Sequence, residues 1–268
     1  MVLRSDHFGF HKEGVLKVLA DGIFSAAGKT ELFRWAHILA AITWIGLLYF
    51  FNLVQVPGYA AFGDEARARN IAIDKVTRRA LWWFRWSALS TFVLGLLITT
   101  EKDFFAEGFG KSGNGIAISL GMLLGTIMML NVWGVIWRNQ KVVLANAANV
   151  LAGGEPNPDS PAAGRKAVMA SRQNFIFSFG MLFCMVVASH DVYLGAGLSS
   201  GKVGAFWAIA FIVVAVLEVN ALGLLPWKTA PNKGLNVIYD GKGVQNPLIA
   251  AAGFFVLVLA LCEIFLKK

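Results

Sequence analysis

Six apolar runs constrain this chain more than any other feature of it. A helix rising 1.5 Å per residue needs roughly 20 apolar residues to cross the hydrocarbon core of a bilayer. Runs of about that length lie at 32–53, 81–100, 115–137, 174–190, 204–225 and 246–266. Inside hydrocarbon the backbone must satisfy its own hydrogen bonds, so six such runs predict an all-α integral membrane bundle. Composition agrees: 57% of the 268 residues are hydrophobic and only 15% are charged, against roughly 25% in a soluble domain.

The connections follow from local chemistry. Pro57 and Gly58 are expected to end the first span. The polar stretch 63–79 carries Arg67, Arg69, Lys75, Arg78 and Arg79, and its apolar residues Ala66, Ile71, Ile73 and Val76 fit a short amphipathic helix leading into span two. Trp82, Trp83 and Trp86 stand at that entrance as an interfacial aromatic belt. The third helix is expected to run on through Lys141 and Asn146 to Gly153-Gly154. The proline-rich stretch 155–161 is a loop, and a helix resumes over 162–173. Pro226 and Trp227 close the fifth span, and the loop to Gln245 is rich in glycine and lysine. Residues 1–30 form a separate segment before the bundle at 31–268. Val15, Leu16, Val18, Leu19, Ile23 and Phe24 share one face there, which suits a helix lying in the membrane interface or docked on the bundle.

The net charge of +8 is a matter of topology. The basic residues gather in the loops between spans, and no nucleic-acid motif accompanies them. With Arg34 and Arg85 at span ends left out, the loops after spans one, three and five hold 13 Lys and Arg, and the other side holds nine. That bias places both termini outside, periplasmic in a bacterial inner membrane. Cys184 and Cys262 lie within apolar runs as packing residues. There is no CxxC or CxxCH, so no covalent haem and no zinc knuckle is expected. The first 30 residues lack the compact apolar core and cleavage site of a signal peptide.

The two histidines near the membrane carry the chemical signal. His37 sits a few residues into span one, and His190 is the last residue of span four. These spans run in opposite directions, so both imidazoles reach similar depth on the same side. That relation survives inversion of the whole topology. Neutral imidazoles from two helices are suited to axial ligation of a b-type haem, a flat ring that fits where small residues leave space. Ala40, Ala41 and Trp44 share the His37 face; Gly180, Phe183, Val186 and Val187 share the His190 face. Arg34, one turn above His37, is placed to meet a propionate. Two plainer readings stand beside this: His37 hydrogen-bonded to a neighbouring helix, and His190 facing water. Glu218, in span five, is either a proton or quinone group or a carboxyl hydrogen-bonded to Asn131 or Asn220. His7 and His11 are expected to be solvent-exposed, and Glu263 to reach the interface.

Several of these motifs together resemble a known family. Arg34-Trp35-Ala36-His37, the run from Trp44 to Asn52, Arg79-Ala80-Leu81-Trp82-Trp83-Phe84-Arg85-Trp86, Gly125-Thr126-Ile127-Met128 with Asn131-Val132-Trp133, the run from Ile136 to Lys141, and Ala188-Ser189-His190 are similar to the membrane domain of PuuD-type urate oxidases (urate hydroxylases). The resemblance covers roughly residues 31 to 190. It implies an integral membrane fold in a redox setting. Members that oxidise urate carry a C-terminal cytochrome c domain. This chain ends just after span six without a CxxCH, so the resemblance implies either a separate electron acceptor or a different activity. The first span alone is also similar to that of membrane protoporphyrinogen oxidases and copper-resistance membrane proteins.

The sequence therefore leads to a haem b membrane protein that passes electrons near the outer face, with a cytochrome c or respiratory complex as partner. One competing expectation is a urate oxidase using a separate cytochrome c, for which Arg34 or Arg85 must line a cleft open to an anionic purine. The other is a haem-free accessory subunit of a larger membrane complex.

Overall fold

The computed structural model describes residues 21–22, 24–100, 104–190, 194–241 and 243–267. Most of the expected interfacial segment 1–30, with His7 and His11, lies outside the described residues. Six helices are long and apolar enough to cross a membrane: α1 Ala26–Ala61, α2 Ala66–Ile98, α3 Gly113–Leu151, α4 Ser160–Ser189, α5 Ser200–Ala221 and α6 Gln245–Leu266. The all-α membrane architecture is thus as expected. α1 begins earlier than the 31 boundary, because the Ser25 side chain caps it by accepting from the Gly28 N–H (3.1 Å).

Two span ends differ from expectation, each for a local reason. α1 does not stop at Pro57. Its backbone widens into a π turn over Phe50–Gln55, where the Val56 N–H reaches back to the Phe51 carbonyl. The slip to an i→i−5 bond just ahead of Pro57 lets the helix carry a residue with no N–H and continue to Ala61. α5 ends at Ala221, not near 225. Gly223 has φ +71°, its N–H donates to the Asn220 carbonyl, and the Leu224 N–H donates to the Val219 carbonyl. This is a Schellman closure, and glycine bears the left-handed conformation it needs. Gly153 (φ +88°) closes α3 in the same way, at the expected place.

The bundle is built around α3 and α4. More than half of the apolar window of each is buried, against less than a third in the other four. α1 and α2 form one flanking hairpin; α5 and α6 flank the other side. Gly180 of α4 faces α6 so closely that a Cβ there would lie 2.7 Å from Phe254 Cε1 and 3.0 Å from Val258 Cγ2. Cys184 and Cys262 are both fully buried, as expected of packing thiols.

Up-and-down order puts the α2–α3 and α4–α5 connections at one end, called here the histidine end, and the others at the arginine end. Backbone bonds knit the histidine end. The Gly113 N–H donates to the Gly195 carbonyl (2.7 Å), the Gly195 N–H to the Leu266 carbonyl (2.7 Å), and the Leu198 N–H to the Lys111 carbonyl (2.9 Å). At the arginine end the segment after α5 folds into the bundle. Asp240 takes a two-pronged ion pair from Arg165 (2.5 and 3.0 Å), and Arg172 donates to the Tyr239 carbonyl. Tyr239 is fully buried, its hydroxyl donating to Gln173 Oε1 (2.5 Å).

Candidate functional site

His37 is half-buried on α1 and meets α2. Its Nδ1 lies 2.8 Å from the Thr91 carbonyl oxygen. A carbonyl can only accept, so Nδ1 carries the proton and the neutral ring presents a bare Nε2. His190 stands at the C-cap of α4, exposed, with Nδ1 3.1 Å from the Val186 carbonyl of its own helix. The same argument puts a proton on its Nδ1. Both plainer readings thus hold at the level of contacts: His37 does bond a neighbouring helix, and His190 is exposed. Neither bond uses the nitrogen that would ligate a metal, and an Nδ1–H held by a carbonyl is the usual second support of a ligating histidine.

The packing of α1 on α4 fixes the relative level of the two rings. Tyr49 Oη lies 3.1 Å from Ser178 Oγ, and its ring packs edge-on against Phe175 (5.2 Å). Asn52, in the π turn, donates to Ser171 Oγ (3.0 Å). The helices are antiparallel. His37 lies twelve residues from Tyr49 toward the histidine end, and His190 lies twelve residues from Ser178 the same way. At 1.5 Å per residue each imidazole is about 18 Å beyond the Tyr49–Ser178 bond.

The other residues of the expected site divide. Arg34 is exposed, one turn nearer the histidine end than His37. Ala40 and Ala41 are half-buried, leaving a thin helix face below His37. Trp44 lies in the core at 2% exposure, and its indole Nε1 has no hydrogen-bond partner. An indole N–H buried without a partner is unusual in a native core. With the two free Nε2 atoms, the small residues and Arg34, the donor set at this end fits a b-type haem. Among the described residues no three or more His, Cys, Asp or Glu gather into a group that could hold a metal ion.

A second polar centre lies toward the arginine end. Asn131 of α3 donates one amide hydrogen to Asn174 Oδ1 of α4 (3.0 Å) and the other to Glu218 Oε2 of α5 (3.1 Å), while Asn174 donates to the Met128 carbonyl (2.9 Å). Of the two partners expected for Glu218, Asn131 is the one found. Asn220 instead accepts from Trp227 Nε1 (2.7 Å). Trp82 and Trp83 remain exposed as belt residues. Arg85 stacks over Trp137, 3.9 Å from the ring centroid. Sequence reasoning missed Thr91 and Tyr239. The first acts through its backbone, and the second lies in a polar stretch with no periodicity.

Residues 104–219 match the sequence family described as urate oxidase N-terminal. The match bears out the family resemblance over a segment that holds the motifs from Gly125 to Lys141, His190 and Glu218. Arg34, His37 and Trp44 lie outside it. No curated protein and no solved structure matches the chain.

Proposed function

We propose that this urate-oxidase-like membrane protein holds a b-type haem between α1 and α4, with His37 and His190 as axial ligands, and passes electrons at its histidine end. The observation that supports this most directly is the pair of imidazoles on antiparallel helices, level with each other and each with Nδ1 engaged and Nε2 free. Bound there, a haem supplies reversible one-electron transfer. The chain supplies the rest. Thr91 orients His37, Ala40 and Ala41 keep the α1 face thin, Trp44 closes it below, and Arg34 offers positive charge where propionates reach the membrane surface. The electron partner is a separate protein such as a cytochrome c or a respiratory complex.

The family match favours a second reading, a urate oxidase with a separate cytochrome c acceptor. A purine anion needs a cation beside it. Arg85 lies over the Trp137 ring, toward the arginine end, whereas Arg34 lies at the same end as both histidines and is the better candidate by position.

A reduced-minus-oxidised visible spectrum with pyridine haemochrome analysis tests the proposal, on protein purified from a haem-replete host. A b-type signal is expected, lost in both His37→Ala and His190→Ala. Urate-dependent reduction of that signal would add the enzyme reading. Folded protein without haem overturns the proposal and leaves the accessory-subunit reading in front.

A further inference from the structure

We propose that α2 is the positioning element for His37: the Thr91 carbonyl sets its tautomer, and Gly95 leaves the space in which the ring keeps that orientation. Thr91 and Gly95 are four residues apart, on one face of α2. The Thr91 hydroxyl is turned away, donating to the Ser87 carbonyl (2.7 Å), so the backbone oxygen is what meets the ring. That oxygen has two lone pairs, one for the helical bond from the Gly95 N–H and one for His37. A methyl group on Gly95 would lie 3.2 Å from His37 Cε1 and 3.4 Å from Nδ1. These are the ring atoms beside the Thr91 bond, so the added carbon presses where the bond forms. The ring must give by a few tenths of an ångström, on the side where Nδ1 meets the carbonyl, and that bond is weakened. Which nitrogen keeps the proton is set by the bond the other one makes, so a weakened Nδ1 bond lets the Nε2-protonated form compete.

Gly46 of α1 is a suitable control. Nothing lies within 4 Å of a Cβ there, so Gly46→Ala makes the same covalent change without touching the histidine. The identity of the ligand that Nε2 receives rests on the haem reading. The tautomer does not, and the test has one arm for each.

In the first arm, nitrogen NMR of the haem-free full chain, labelled with 15N at its imidazoles, identifies the His37 signals by their loss in His37→Gln. The expected pattern is a protonated Nδ1 and an unprotonated Nε2. It should persist in Gly46→Ala and give way to mixed or Nε2-protonated signals in Gly95→Ala. An Nε2–H tautomer in the unsubstituted protein, or an unchanged pattern in Gly95→Ala, overturns the proposal. In the second arm, on haem-loaded protein, Gly95→Ala is expected to lower haem retention by about tenfold or more, or to shift the low-spin ferric EPR signature, with Gly46→Ala unchanged. If the protein holds no haem, that arm fails by itself and the NMR arm still decides the role of α2.

Discussion

Asn131 uses both hydrogens of one side-chain amide to join three helices, and Glu218 is the residue whose replacement tests that junction. In Glu218→Gln an amide oxygen takes the place of the carboxylate oxygen, and Asn131 keeps an acceptor. In Glu218→Leu the second amide hydrogen is left in an apolar setting. Interhelical hydrogen bonds in membranes are worth about 0.6 kcal/mol on average and up to about 1.7. Glu218→Gln is therefore expected to leave the unfolding midpoint in detergent nearly unchanged. Glu218→Leu should lower stability by about 1 kcal/mol, read as a lower midpoint in thermal or denaturant titration. A role in proton transfer would show the reverse order of importance, with Glu218→Gln abolishing turnover while stability holds. At this scale the sequence was readable where side chain meets side chain. A carboxyl in an apolar run needs a partner, and Asn131 was one of two on offer. His37 was readable as a residue needing a partner, but the partner is a backbone oxygen 54 positions away, and no residue type advertises that.

The elements that sequence reading missed are those whose order comes from tertiary contact. The stretch after α5 has the glycines and lysines of a solvated loop. It nevertheless holds a buried tyrosine, because Arg165, Arg172 and Gln173 of α4 wait beneath it. Asp240→Ala leaves the half-buried Arg165 without its carboxylate. The expected cost is up to about 3 kcal/mol, the low end for breaking a buried pair. Limited trypsin digestion should then cut at Lys228 and Lys233 several-fold faster than in the unsubstituted protein. Tyr239 adds a pH dependence. Burial, above all, pushes its phenol above the ordinary value; the nearby Asn220 side chain opposes that and Glu218 adds to it. The docked segment therefore favours the neutral phenol. Docking is at full strength below about pH 10, where the released tyrosine is also neutral, and weakens by up to about 1.4 kcal/mol per pH unit above it. The same digestion, run with an alkali-tolerant protease, should accelerate above that pH, and Tyr239→Phe should lose the dependence while digesting faster at neutral pH. The span ends show the other limit. Gly223 is a closing signal visible in the sequence, whereas the π turn that carries α1 past Pro57 depends on a slip of one residue that no periodicity records.

For the whole molecule, orientation decides which compartment the histidine end serves. The levelling of His37 with His190 comes from the Tyr49–Ser178 contact and helix rise, so it is the same either way up. The count of 13 Lys and Arg against nine is the ground for expecting the arginine end, with Arg165, Arg172 and the docked Tyr239 segment, on the cytoplasmic side. Cysteine labelling tests this directly, since Cys184 and Cys262 are buried and should stay silent. Glu107, in the α2–α3 connection, and Glu155, in the α3–α4 connection, are both exposed. A membrane-impermeant maleimide added to intact cells, after opening of any outer membrane, should label Glu107→Cys. It should reach Glu155→Cys only in inverted vesicles. The opposite pattern would turn the molecule over. Both imidazoles would still be level, but an external cytochrome c could no longer approach them, and the electron partner would have to be sought on the cytoplasmic side.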